Sequence, residues 1–460
     1  MSQLPPSWSA TTLKTVANLI TGNTPSTKSP EFYGGTIPFV KPGDLDCSEP
    51  INITEQQLTE LGAKQSRLVR AGATLVSCIG NLGKIGFAGV PLATNQQINS
   101  AEFYSGFVDD RYGYYLCKTL KPWMERESSA TTIAILNKGK FGEAPVPLAP
   151  IAEQKRIADK LDIVLTRVDA VNTRLARVSP LLKRFRQSVL AAATSGRLTE
   201  EWRATAPAQS SAIELAQYLV QRAKKEKKPP AQPDMAHWKK TVPTTWTIAS
   251  VHQFAECLDR LRVPIKRDQR QSELGLYPYY GANGEVGRID QFIFDDELVL
   301  VTEDETFYGR EKPIAYRSSG KCWVNNHAHV LRAPSKAAND YLCFSLMYYD
   351  VIPWLSGTTG RAKLTQQALN ALPIAVPPAL EIDEIVRRVE TLFAFADRLE
   401  ARLQAAQTAA DRLTPSLLAK AFRGELVPQD PNDEPAAELL RRLQTDVSSS
   451  STKRGKKISA

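Results

Sequence analysis

Several things are scarce in this chain, and each scarcity excludes a class of protein. The six cysteines stand at 47, 78, 117, 257, 322 and 343, with no CxxC or other metal spacing. A disulfide scaffold and a zinc site are both disfavoured, and reduced thiols are expected. No apolar run approaches the ~20 residues of a membrane span. The N-terminus, MSQLPPSWSATTLKTV, lacks the apolar core of a signal peptide, so a cytoplasmic location is expected. There is no GxxxxGK phosphate loop and no Asn-Pro-Pro-aromatic tetrapeptide of the adenine methyltransferases. Gly281, Gly284 and Gly287 have neither GxGxxG spacing nor a strand-to-helix context, and read as a turn. Glu226-Lys227-Lys228 matches the tail of a nuclease motif only trivially. The chain therefore reads as non-catalytic, without catalytic, cofactor-binding or metal-binding residues.

What is present is a long-period repeat. Residues 153–198 align with 381–426 at a constant offset of 228, without a gap, and 12 of the 46 pairs are identical. Among these are Glu153/Glu381, Ile157/Ile385, Leu175/Leu403, Ala193/Ala421 and Gly196/Gly424. Both copies share one apolar periodicity. The first places Ile157, Leu161, Val164, Val168, Val171 and Leu175 at alternating steps of 4 and 3; the second places Ile385, Val389, Leu392, Ala396, Leu399 and Leu403 at the matching positions. A 3.5-residue repeat argues for a coiled-coil seam. Two unrelated amphipathic core helices are the alternative, and the shared phase speaks against it. Ser179-Pro180 and Thr414-Pro415 look like helix starts, so each arm is expected to break there and restart. Gly196 and Gly424 read as C-terminal caps.

The net charge of +9 is unevenly placed. Residues 151–198 carry ten Lys/Arg against four Asp/Glu, whereas 381–426 carry seven against eight. Such an excess is either a solvated face or a basic ridge facing phosphates or an acidic partner.

Residues 1–150 read as a mixed α/β globule with short strands, for example at 36–41, 74–79 and 84–89. Residues 241–378 read similarly, with strands at 292–294, 298–302 and 330–332. The two begin alike, Leu4-Pro5-Pro6-Ser7-Trp8 against Val242-Pro243-Thr244-Thr245-Trp246, and both end in proline-spaced segments. Their middles do not align by eye. Helical regions 151–198 and 379–426 follow the globules. A linker at 199–240 holds a short helix at 213–223, and the tail at 427–460 holds one at 436–443. The stretch 448–457, SSSSTKRGKK, is expected to be too polar to fold. The class is α+β: two mixed globules alternating with two long arms, the arms pairing as an antiparallel coiled coil about a pseudo-two-fold axis.

For a chain whose basic ridge faces nucleic-acid phosphates, reading bases would need side chains that offer paired hydrogen bonds to base edges: Arg or Lys to guanine, Asn or Gln to adenine. In the first globule the candidates are Asn95, Gln96 and Gln97, with Asn81 and Lys84 beside a glycine turn and Lys138 and Lys140 in a second loop. In the second they are Asn325, Asn326 and His327, with Asn283 and Arg310 in turns and Arg361 and Lys363 before the closing helix. Asn and Gln also occupy loops for turn geometry alone. His327 and His329 resemble a metal pair, but no carboxylate or thiol is spaced along the sequence to complete it. A strand histidine with a satisfied hydrogen bond is the simpler reading.

Four segments carry a resemblance. PLAPIAEQKRIADKLD (147–162) resembles the segment that opens a helix in the specificity subunit of type I restriction–modification enzymes, and VPPALEIDEIVRRVETLFAFADRLEARL (376–403) resembles its second copy. LTPSLLAKAFRGELVPQDPNDEPAAELL (413–440) is similar to that family's C-terminal signature. PYYGANGEVGRID (278–290) is similar to a stretch of its second recognition domain. One departure is visible: Glu153-Gln154-Lys155 against Glu381-Ile382-Asp383. The resemblance implies two target recognition domains, each reading one half of a bipartite asymmetric sequence in double-stranded DNA. It implies helices that dock two modification (methyltransferase) subunits, with two restriction (motor-nuclease) subunits added. S-adenosylmethionine, ATP and Mg would then belong to those partners, with no cofactor in this chain and no membrane. A stand-alone coiled-coil scaffold that binds only protein is the alternative.

Overall fold

The computed structural model describes residues 4–47, 49–128, 133–207, 210–224, 229–265, 275–304, 307–357 and 362–455. In chain order the elements used below are β1 (Ala17–Thr21), β2 (Tyr33–Val40), β3 (Thr74–Ser77), β4 (Leu92–Thr94) and β5 (Ile98–Phe103). Helices α1 (Ile151–Ala176), α2 (Val178–Thr194) and α3 (Ser211–Ala223) follow. Then come β6 (Glu256–Cys257), β7 (Tyr277–Gly281), β8 (Phe294–Thr302), β9 (Ala315–Val324) and β10 (Ala328–Arg332), and helices α4 (Ala379–Ala421) and α5 (Ala436–Gly455). The chain divides into two compact units, Met1–Ala176 with Ala405–Ala460, and Arg177–Gln404.

In the first unit β1, β5 and β3 lie side by side in one sheet, and β2 and β4 pair in parallel in another. The globule is closed by an antiparallel pairing of Ser9–Thr12 with Pro145–Leu148. The core under it gathers Leu13, Val16, Tyr112, Leu116, Met124 and Phe141. The same cluster takes Ile157, Leu161 and Leu165 from the start of α1, and Leu418, Ala421 and Phe422 from the end of α4. The second unit repeats the plan. Thr247–Ser250 pairs with Pro373–Val376. Val189, Leu190 and Ala193 near the end of α2 share a core with Ile382, Ile385 and Val389 at the start of α4. In each unit the start of one arm packs with the end of the other, which is the antiparallel sense.

The repeated frames have a physical reason. Gly196 and Gly424 sit at φ +78° and +77°, the left-handed region that ends a helix. A Cβ on Gly196 would lie 2.4 Å from Cγ of Pro243, and one on Gly424 2.3 Å from Cγ of Pro5. The glycine therefore serves both the turn and close packing against the proline that opens each globule. The paired tryptophans and glutamates meet as well. The Trp8 indole donates to Glu153 at 2.9 Å, and the Trp246 indole to Glu381 at 2.8 Å. Both carboxylates are buried, and each has one or two further donors from the segment that follows α4 or α2. Gln429 Nε2 reaches Glu153 at 2.5 Å; Thr199 Oγ1 and Arg203 Nε reach Glu381 at 2.7 and 2.9 Å. Burial pushes the Glu153 carboxyl up, opposed by the Trp8 and Gln429 hydrogen bonds. The departure after these glutamates is local. Gln154 bonds the backbone at Ala149, Phe107 and Asp109, whereas Ile382 enters the apolar core.

Four details differ from expectation. The first arm does break, at Arg177, but Ser179 and Pro180 lie inside α2 rather than capping it. Pro180 is the third helical residue, where an N–H has no intrahelical partner anyway. The second arm does not break: α4 runs through Pro415. The carbonyl freed at Asp411 belongs to an exposed residue and can bond water. In α1 the buried stripe runs through Ile157, Leu161, Leu165 and Val168. Val164 and Leu175 are half-buried and Val171 is 44% exposed, because a straight helix drifts away from a strict heptad. In α4, Ile385, Val389 and Leu403 are buried while Leu392 and Leu399 are half-buried. Finally, α5 continues to Gly455, into the stretch expected not to fold. Its first turns are fixed by buried Ala436, Leu439 and Leu443, and a nucleated helix extends at low cost.

Candidate nucleic-acid interface

The middles of the two globules, which do not align by eye, align in hydrogen bonding. In the first, β4 leaves its parallel partner β2 and turns into β5. In the second, β9 leaves its parallel partner β7 and turns into β10. The turning residues are Asn95-Gln96-Gln97 and Asn325-Asn326-His327. The Asn95 N–H donates to Val40 O at 3.1 Å; the Asn325 N–H donates to Tyr280 O at 3.0 Å. The Asn95 side chain accepts from the Gln97 N–H at 3.1 Å, and Asn325 from the His327 N–H at 2.8 Å. Each is an asparagine-closed turn, and each asparagine is 7% exposed. The following residues, Gln96 and Asn326, are exposed. The turn's outer residues are thus displayed while its asparagine holds the backbone.

Neighbouring loops reach both turns by the same bonds. The Cys78 N–H donates to Gln97 O and the Glu303 N–H to His327 O. The Leu136 N–H donates to Cys78 O and the Leu364 N–H to Glu303 O. These ties bring most of the candidates together. In the second unit Arg310 donates to Asn283 Oδ1 at 2.7 Å, and His327 Nδ1 lies 2.7 Å from Asp304 Oδ1. Asp304 bridges by backbone to Lys363, whose Nζ meets Glu303 at 2.7 Å. Arg361 lies outside the described residues. In the first unit Gln96 accepts from Thr24 at 2.6 Å, and Asn95 donates to Gln97 at 3.0 Å. Asn81 is exposed and Lys84 half-buried; both lend backbone to Ser77. Lys138 and Lys140 stand one helical turn farther on, capped by Asn137, with Lys140 ion-paired to Glu127 at 3.1 Å.

Behind the turns lies a buried layer that the sequence did not disclose. In the second unit His329 is fully buried, with Nδ1 2.5 Å from Asp259 and Nε2 2.7 Å from Leu364 O. It is the hydrogen-bonded strand histidine anticipated. Carboxylates distant in sequence do reach it, however: Asp259, and Glu303 at 3.7 Å. The expectation that none would do so rested on linear spacing and is corrected by the strand pairing. The three offer ligand atoms within 4.8 Å of one another. Arg262 already meets Glu303 at 2.5 Å and Asp259 at 3.2 Å, and Lys363 meets Glu303. A divalent ion added to those two cations would leave buried positive charge in excess, so the group does not fit a metal. Burial alone would raise Asp259, but the His329 hydrogen bond and charge, with Arg262, bring it below the usual range. Glu303 is lowered likewise, by Lys363 and Arg262 against burial.

The first unit fills the same three positions with Thr21, Cys78 and Asn99. Thr21 Oγ1 donates to Asn99 Oδ1 at 2.6 Å, and burial pushes the Cys78 thiol up to about 12 against hydrogen bonding with Asn99. One charged layer and one neutral layer support the same turn.

Residues 5–179 and 243–406 match the family described as the type I restriction modification DNA specificity domain. The chain belongs to that family: it is a specificity subunit, a non-catalytic component that confers DNA sequence recognition. It is 28% identical over 369 residues to the EcoDI specificity subunit of Escherichia coli, covering 74% of this chain and 77% of that protein. It is 25% identical over 480 residues to the EcoBI specificity subunit of E. coli, covering 97% and 94%. Two solved structures share the fold. One is a chain from work on complex assembly and conformational transition of the type I R-M system (TM-score 0.64, 15% identity, 93% of this chain and 100% of that one). The other is the HsdS subunit from Thermoanaerobacter tengcongensis (TM-score 0.52, 16% identity, 92% and 98%). Among the described residues no helix is long and apolar enough to cross a membrane.

Proposed function

We propose that the turns at 95–97 and 325–327 are the base-reading edges, each serving one half of a bipartite asymmetric duplex sequence. The observation that carries this is the shared asparagine-closed turn with different outer residues: exposed Gln96 and half-buried Gln97 in one domain, exposed Asn326 and His327 in the other. Gln and Asn match the paired donor and acceptor of adenine in the major groove. Asn283, Arg310 and Lys363 flank the second turn; Asn81, Lys84, Lys138 and Lys140 belong to the loops around the first. The helical arms dock two modification subunits, and two restriction subunits complete the assembly. S-adenosylmethionine, ATP and Mg act in those partners, and the complex works in the cytoplasm. Exchanging residues 1–145 for the corresponding domain of a relative tests the modular reading. Methylome sequencing of the host should show one half of the methylated site changed and the other kept. Change in both halves would contradict two independent readers.

A further inference from the structure

We propose that His329 is a positioning residue for the second recognition turn, acting through its two hydrogen bonds rather than by touching DNA. The proposal rests on the reading that the turn at 325–327 contacts bases. His329 is fully buried two residues beyond that turn and ties together segments far apart in sequence. One ring nitrogen faces Asp259, which also accepts from the Val330 N–H at 2.9 Å; the other faces the carbonyl of Leu364. A carboxylate and a carbonyl can only accept, so the ring serves these partners as an N–H donor. Glu303 completes the group. Its backbone holds His327 and Leu364, and its carboxylate holds Arg262 and Lys363. Thus the reading turn, the strand end at 302–304 and the Lys363 segment share one clamp, and His329 ties its Lys363 side, through Leu364, to the Asp259 segment.

The first domain supports a role in placing the turn rather than in one chemistry. There Asn99 occupies the His329 position, bonded to Thr21 and Cys78, with the same backbone ties in front. The two layers differ in charge and serve turns that display different side chains. Both share the requirement that a buried polar side chain bridge neighbouring strands.

The test uses the full chain with its modification subunits, and duplexes carrying single base changes in either half-site. His329→Leu fills similar volume and donates nothing; His329→Gln keeps two amide N–H donors. Discrimination at the half-site read by the second domain should fall about tenfold in His329→Leu, the size of one good base contact, and be largely kept in His329→Gln. The other half-site should be unaffected. Unchanged discrimination in an assembled His329→Leu complex would overturn the proposal, and so would equal loss in both variants. If His329→Leu fails to assemble, Asp259→Asn and Glu303→Gln decide: a loss confined to the same half-site supports the clamp, and no loss contradicts it. Asn326→Ala with His327→Ala tests the underlying reading separately. If that pair leaves discrimination intact, the turn is not the reader, whatever His329 does.

Discussion

The two recognition domains carry one turn on two different foundations. Behind Asn95-Gln96-Gln97 stand Thr21, Cys78 and Asn99; behind Asn325-Asn326-His327 stand Asp259, Glu303 and His329, with Arg262 and Lys363 attached. The backbone ties in front are the same, pair for pair. A buried polar group is tolerated when its bonds are satisfied, and a neutral triplet and a charged cluster both meet that condition. What is kept is hydrogen-bond topology rather than residue type. A specificity scaffold can therefore diverge deeply behind this turn without moving it.

The comparison breaks most sharply at the shared core. Ile157 and Ile385 are equivalent and both fully buried. Replacing either by Asp buries an unpaired carboxylate and should cost several kcal/mol. Val171→Asp, at a position 44% exposed, should stay within about 0.5 kcal/mol. Urea midpoints of the three variants check the ranking, and equal losses would restore Val171 to the seam.

The tryptophan–glutamate pairs should separate more finely. Trp8→Phe and Trp246→Phe each remove one donor from a buried carboxylate, a loss of about 1–3 kcal/mol. The first should be worse, because among the described residues Glu153 keeps the hydrogen bond of the neutral Gln429 while Glu381 keeps those of Thr199 and the charged Arg203. Equal thermal shifts would show that these contacts are interchangeable.

Acid should distinguish the two layers. Asp259 and Glu303 are held below their ordinary values. Their stabilisation is fully present above the unfolded values, about 3.9 and 4.3, and is lost as pH falls through the lower folded values. The second domain should weaken below about pH 4 through a cluster whose counterpart in the first contains no carboxylate. Urea titrations at stepped pH should show a shallower acid loss in Glu303→Gln than in the native chain.

The smallest effect concerns the basic arm. Arg174 and Arg177 are exposed, and Lys183 pairs with Glu311 at 2.9 Å. If the two arginines meet phosphates, changing both to Gln flattens the log affinity–log salt slope by about 0.9 for each lost contact, with specificity kept. Failure to assemble without DNA would instead assign them to a partner subunit.

Much of this was legible in the chain. The offset of 228, the paired glycines and the proline–tryptophan frames identify the duplicated scaffold, because helix termination and close packing admit few residue types. The prolines misled at α4, where solvent relieves the missing donor. The heptad misled at Val171, where a straight helix turns the stripe aside. Asn95 and Asn325 were visible as candidates, but their burial was not, and their role is to shape the turn more than to face outward. The Asp259–Glu303–His329 cluster was invisible. Its members lie tens of residues apart and meet only through strand register, while its counterpart is written in Thr, Cys and Asn.

The most direct measurement compares the two turns in one experiment. Complexes carrying Gln96→Ala with Gln97→Ala, or Asn326→Ala with His327→Ala, would be assayed for methylation across a library of duplexes mutated throughout the target. Each pair should relax discrimination in one half-site only, and the two pairs in opposite halves. Relaxation of the same half by both pairs, or of neither by either, would contradict two homologous turns as the two readers.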